Sequence, residues 1–176
     1  MPAGGLARTP RSSTLALLAS ERASYAFYRW ENVAINLWAS QPNGPAVEIV
    51  GKLTERSLLE CPNGIASIHC IANGAGLPTA DARAQLAEIA KRYDRHLLCV
   101  AILLRGDGFW ASAVRSALTG IVLLAPRAYQ MRFYGELPQL TRFVCEQVQQ
   151  RTGEAHHPAR LLEAVEQALR EFDVGA

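Results

Sequence analysis

The residues LLCVAILLRGDGFWASAVRSALTG, 97–120, give the clearest indication of the fold class. Its first eight residues, 97–104, are all apolar, as in a strand buried on both faces of a sheet. Gly106 and Gly108 then permit a tight corner. From Phe109 onwards apolar residues recur at helical spacing, with polar residues on the opposite side. A buried strand that turns directly into an amphipathic helix predicts an α/β protein.

Similar patterns lie on both sides of this stretch. Residues 25–29 and 33–38 are rich in β-forming side chains and are separated by a turn-prone Asn32, which predicts an opening β-hairpin. Further strands are predicted at 65–71 and 128–134, with helices between and after them. The predicted order is β-β-α-β-α-β-α-β-α-α, a mixed and mostly parallel sheet with helices packed on it.

Composition limits the domain organisation and the kinds of partner. The chain has 176 residues, a net charge of +2 and 49% hydrophobic residues. One domain is predicted at 24–152, after a flexible tail at 1–23 and before a linker and amphipathic helix at 153–176. His156 and His157 fall in this linker and are expected to be exposed. The low charge and short apolar runs argue against nucleic-acid binding and membrane insertion, and we expect a cytoplasmic protein.

Motifs for cofactors and metals are incomplete. Residues 106–108 match part of the dinucleotide-binding fingerprint, but no acidic residue follows about 20 residues later. No Gly-Lys-Ser/Thr occurs, which excludes a P-loop. The four cysteines lack the spacing of zinc ligands and are expected to be reduced and buried. They are Cys61, Cys70, Cys99 and Cys145. We therefore predict no cofactor and no metal.

No set of nucleophile, base and acid can be assembled from spacing, so no catalytic residue is predicted. His69 lies in an apolar strand, where a hydrogen-bonded core histidine is commoner than a catalytic one. His96 begins a strand beside charged residues and is expected to be solvated.

Four segments together resemble the STAS and SpoIIAA-like group, small bacterial domains related to anti-sigma-factor antagonists. In chain order they are YAFYRWENVAINLWA, IHCIANGAGLPTADAR, LLRGDGFWASAVRSALTG and YQMRFYGELPQLTRFV. They span roughly residues 24–151. The resemblance is one of pattern and order. It implies a STAS-like fold and a non-catalytic regulatory module, active in signalling through a protein partner.

The resemblance also points to a candidate switch. Anti-sigma-factor antagonists carry a phosphorylatable hydroxyl in an Asp-Ser-Ser/Thr-Gly type motif before a helix. The corresponding loop, 73–79, lacks that signature, and Thr79 is its nearest hydroxyl. Thr79 is either this switch or an ordinary helix N-cap. Asp81 suits the first turn of the same helix, Asp107 can cap the next helix, and Arg115 is either solvated or part of an anion site.

Trp30, Trp38 and Tyr28 concentrate large aromatics in the hairpin. They form a protein interface if the hairpin is exposed, or core if helices cover it. The C-terminal helix likewise docks on a partner or packs on its own domain.

Two alternatives to the regulatory module stay open. One is a small-ligand or lipid-binding domain, or an enzyme built on it, with a closed apolar pocket into which Arg105, Arg115 or His69 points. The other is a homo-oligomeric assembly protein with a symmetric contact.

Overall fold

The computed structural model describes residues 14–104, 108–122 and 128–175. The strands are β1 (Ala16–Glu21), β2 (Tyr25–Trp30), β3 (Val33–Trp38), β4 (Ile65–Ile71), β5 (Leu97–Leu104) and β6 (Gln130–Tyr134). The helices are α1 (Gly44–Glu60), α2 (Ala80–Arg92), α3 (Phe109–Val122), α4 (Leu137–Thr152) and α5 (Pro158–Gly175). Across these described ranges, no helix has both the length and the apolar character needed to cross a membrane.

The six strands form one sheet in chain order, from β1 at one edge to β6 at the other. The first three strands are antiparallel, and β3 to β6 are parallel. Right-handed crossovers that all advance in one direction place their helices on the same face. Accordingly α1, α2 and α3 cover one face, while α4 and α5 cover the other. The mixed, mostly parallel α/β fold predicted from the sequence is confirmed.

One strand was not predicted. Residues 16–21, assigned to the flexible tail, pair antiparallel with β2 as an edge strand, with an irregular register between Leu17 and Ala19. All six residues of β1 are exposed or half-buried, so the strand has no apolar alternation to reveal it. Main-chain hydrogen bonds to β2 hold it in the sheet.

Alternate residues of each central strand enter the two faces of the core, as the period of two requires. In β3, Val33, Ile35 and Leu37 pack toward α4 and α5. Trp38 faces α1 on the other side, next to Phe27.

All four described cysteines are free and buried, as predicted.

The C-terminal helix packs on its own domain. Buried residues of α5 join the cluster formed by the sheet and α4, so residues 158–175 share the core of the preceding domain. Its buried side chains are Leu161, Ala164, Val165 and Ala168. The hairpin aromatics are interior for this reason: Tyr28 and Trp30 are each only 3% exposed and belong to the same cluster.

The linker before α5 is anchored, contrary to the expected exposure of His156. Its side chain is only 5% exposed. His156 Nδ1 lies 3.2 Å from Glu31 Oε2, and Nε2 lies 2.6 Å from Asn32 Oδ1. The ring also packs edge-on against Trp30. These groups belong to the β2–β3 turn, so the contact becomes visible only when the chain ends are brought together. His157 is exposed, as expected.

Candidate functional site

An apolar cavity of about 120 Å³ lies between the sheet and the layer formed by α1, α2 and α3. Its size is comparable to the roughly 150 Å³ engineered cavity that binds benzene. Helices and strands contribute aliphatic side chains to its wall. They include Val50, Leu86, Ile89, Ile102, Val114 and Leu118. None of the described residues that form the wall is Asp, Glu, Lys or Arg.

The cavity has one polar end, built from two neighbouring strands. Trp38, at the end of β3, donates from Nε1 to Nδ1 of His69 on β4 over 3.2 Å. The other ring nitrogen of His69, Nε2, lies 3.0 Å from the Ser67 hydroxyl. Asn36 on β3 donates from Nδ2 to the same hydroxyl over 3.1 Å. The parallel register pairs Asn36 with His69, which brings the four side chains into one line.

These contacts fix the protonation of His69. An indole N–H can only donate, so Nδ1 of His69 must be the unprotonated acceptor. In a neutral ring the proton then lies on Nε2, which donates to Ser67. Burial keeps the ring neutral because it lowers the pKa of His69 from 6.5 to about 4.

Part of this cavity was predictable from the sequence. The pocket hypothesis named His69, which does line the wall, while Arg105 lies outside the described residues. Asn36 and Ser67 were missed. The signal for Ser67 was available, because Ser67 and His69 alternate in an otherwise apolar strand and so share one face.

Thr79 is the N-cap of α2, and it lies beside Asp81. The Ala82 N–H donates to Thr79 Oγ1 over 3.4 Å, and the Thr79 hydroxyl donates to Asp81 Oδ1 over 2.5 Å. This second bond is the largest cause of the lowered pKa of Asp81, with main-chain N–H groups contributing, including that of Gly44. A Cβ at Gly44 would overlap the Asp81 carboxylate. The Asp81 carboxylate thus serves the starts of both α1 and α2.

The remaining candidate residues do not converge on this loop. Arg115 is on the exposed side of α3, whereas Val114 and Leu118 face the cavity, as the helical spacing of apolar residues predicts. Asp107 lies outside the described residues.

The aromatic interface hypothesis needs correction. Trp38 is only 4% exposed and takes part in the polar end of the cavity, and Trp30 and Tyr28 are covered by α5 and its linker. These three side chains therefore offer no exposed surface to a partner.

Within the described ranges, no group of three or more His, Cys, Asp or Glu side chains is placed to hold a metal ion.

Comparison with solved structures identifies the fold. The chain is similar to an uncharacterized protein of the DUF3478 family with a SpoIIAA-like fold from Shewanella loihica PV-4, with a TM-score of 0.50 and 14% sequence identity. The match covers 73% of this chain and 99% of the other. No family model and no curated protein matches the sequence. The fold is therefore SpoIIAA-like, as the sequence resemblance implied.

Proposed function

From a SpoIIAA-like fold with an apolar cavity, we propose that this protein is a non-catalytic module that binds a small uncharged ligand. The cavity carries the proposal. Its wall is apolar apart from a few converging polar groups, which is typical of small-molecule sites. A volume of about 120 Å³ suits a compact ligand rather than a long lipid chain.

The polar end supports binding rather than nucleophilic catalysis. A serine is activated when a neighbouring histidine nitrogen accepts its proton. Here the direction is reversed, because Trp38 occupies the acceptor nitrogen of His69 and the protonated nitrogen faces Ser67. His69 therefore cannot serve as the base for Ser67 without losing its bond to Trp38.

Benzene is a suitable first probe, because it fills a cavity of this class without hydrogen bonds. We expect benzene to raise the midpoint of thermal unfolding and to shift NMR signals of cavity residues. Ala90 lines the cavity on α2, so Ala90→Leu should fill part of the volume and weaken benzene binding at least about tenfold, equivalent to about 1.4 kcal/mol.

Ala84→Leu provides the matched control, because Ala84 is exposed on the same helix. It should bind benzene as the wild type does. The proposal fails if benzene leaves the wild type unchanged, or if both leucine variants bind it equally.

A regulatory partner site is a second candidate function, favoured by an apolar surface beside the Thr79 loop. Phe109 is 91% exposed and Leu77 is 36% exposed. Trp110 follows Phe109 and donates from Nε1 to the carbonyl of Ala75 over 2.9 Å, which ties α3 to the loop. The same loop contributes Gly76 and Pro78 to the cavity wall, so a ligand and a partner would share one element.

We propose that phosphorylation of Thr79 would regulate this surface by weakening the start of α2. A phosphate would remove the hydroxyl proton given to Asp81 and add like charge beside that carboxylate. Affinity capture with the wild type and Thr79→Glu tests the switch.

Phe109→Asp tests the surface, and Leu59→Asp is its control because Leu59 is 82% exposed on α1. A partner lost with Thr79→Glu and Phe109→Asp but retained with Leu59→Asp supports this function. A partner retained by every variant contradicts it.

A further inference from the structure

We propose that the cavity selects ligands that present a hydrogen-bond acceptor to the hydroxyl of Ser67. This inference rests on the ligand-binding function proposed above, and it names the chemical class of the ligand. Uncharged ketones, esters and ethers with a compact apolar body belong to that class. The hydrogen bonds among Trp38, His69, Ser67 and Asn36 leave the Ser67 proton available to such a ligand.

The first step is the orientation of Asn36. Its Nδ2 lies 3.1 Å from the carbonyl oxygen of Ile68, and a carbonyl oxygen can only accept. The atom facing Ile68 is therefore the amide nitrogen. The same nitrogen lies 3.1 Å from Ser67 Oγ and donates its second proton there. Asn36 is only 4% exposed, so this geometry is enclosed by the core.

The second step is the hydroxyl of Ser67. It accepts one hydrogen bond from Asn36 Nδ2 and one from the protonated Nε2 of His69. A hydroxyl oxygen has two acceptor lone pairs and one proton. Both lone pairs are therefore used, and the proton is the group left to donate.

The third step is the direction of that proton. Among the described residues, the hydrogen-bond partners of the Ser67 hydroxyl are Asn36 Nδ2 and His69 Nε2, and both of these nitrogens donate. The hydroxyl proton therefore has no acceptor among these residues. Ser67 lines the cavity and is only 8% exposed. Because the neighbouring N–H groups of Trp38 and His69 are already donated, Ser67 supplies the unused donor at the polar end.

The fourth step is charge. The described wall carries no ionised side chain, and His69 is held neutral by its contacts. A charged ligand would be buried without a counter-ion, which is costly in an apolar interior. The acceptor must therefore belong to a neutral group.

Two probes of nearly equal shape test this selection: cyclohexanone and methylenecyclohexane, which differ by C=O against C=CH₂. Because their hydration differs, each affinity is compared between the wild type and Ser67→Ala. Ser67→Ala should weaken cyclohexanone binding about fivefold to tenfold relative to its effect on methylenecyclohexane, as expected for one hydrogen bond. Ser57→Ala is the matched control, since Ser57 is a buried serine of α1 outside the cavity wall.

Infrared spectroscopy of wild-type protein keeps the test decisive if Ser67→Ala does not fold. The carbonyl band of bound cyclohexanone should lie at lower wavenumber than the same band in hexane. A hexane-like band, or equal effects of Ser67→Ala on both probes, overturns the assignment while the binding function stands. Selectivity lost in Thr54→Val instead of Ser67→Ala overturns it too, because Thr54 is the other residue with an aliphatic hydroxyl in the described part of the wall. Binding of neither probe overturns the proposed function itself.

Discussion

Acid should destabilise this protein through His69, by an amount that the structure allows us to work out. Burial lowers the pKa of His69 from 6.5 to about 4. Above about pH 7 the ring is neutral in both the folded and unfolded states, so it contributes no pH dependence. As the pH falls below 6.5, the His69 ring is protonated in the unfolded chain, whereas in the folded protein it stays neutral until about pH 4. The free energy of unfolding must therefore decrease across this interval.

The size of the loss follows from the pKa difference. Each pKa unit corresponds to about 1.4 kcal/mol, so lowering the pKa from 6.5 to about 4 corresponds to a total loss of about 3 kcal/mol. That is a large part of the stability of an ordinary domain. Other groups also titrate in this range, so the quantity to measure is the difference between the wild type and His69→Gln, which cannot take up the proton.

Urea unfolding at a series of pH values between about 7.5 and about 4.5 provides the assay. Over this range the wild type should lose roughly 2–3 kcal/mol more than His69→Gln. His96→Gln is the matched control, because His96 is exposed just before β5, and it should follow the wild type. In the wild type, the NMR signals of the His69 ring should stay constant until the pH approaches 4.

Parallel loss of stability in the wild type and His69→Gln would refute this reasoning. A ring signal that titrates near its ordinary value would do the same. Either result would mean that Trp38 and Ser67 do not hold the neutral ring described above.

Three further predictions concern packing and anchoring. Arg151→Ala should lower the free energy of unfolding by about 1–3 kcal/mol, because Arg151 Nη1 donates to three main-chain carbonyls near the starts of β5 and β6. Chemical denaturation measures this change. A loss equal to that caused by Arg142→Ala, at an exposed arginine, would contradict the prediction. His156→Ala should make the linker before α5 more sensitive to limited proteolysis, whereas His157→Ala should not, and equal cleavage of both would show that His156 is no anchor. Leu161→Ala should lower the free energy of unfolding by about 2–5 kcal/mol, because the Leu161 side chain of α5 is fully buried in the core that it shares with the sheet and α4. A change below about 0.5 kcal/mol in calorimetry is typical of a surface residue and would contradict the packing of α5 on the sheet.

The sequence predicted the elements whose signal is local. Residues 97–104 are apolar throughout, which predicts a buried strand, and the structure pairs this strand on both sides. The N-cap role that the sequence allows for Thr79 is observed at the start of α2. Each of these assignments depends on only a few neighbouring residues.

The missing parts depend on contacts between distant residues. β1 is held by main-chain bonds, to which the alternation of side chains gives no clue. The burial of His156 requires Glu31 and Asn32, more than a hundred residues earlier in the chain. The hydrogen bond that the Ser67 hydroxyl accepts from Asn36 depends on the register that places Asn36 beside β4. Spacing along the chain cannot reveal such neighbours.

The order of the strands in the sheet, which follows the order of the chain, also affects how the protein folds. Every strand pairs with the strand next to it in sequence, so the sheet can grow progressively as the chain leaves the ribosome. Helix α5 is different, because it packs against β2 and β3 from the other end of the chain. The apolar face of β2 that holds Tyr28 and Trp30 therefore stays uncovered until α5 has been synthesised. In this interval the nascent chain exposes these two aromatic side chains, so the folding of α5 determines how long they need protection from aggregation.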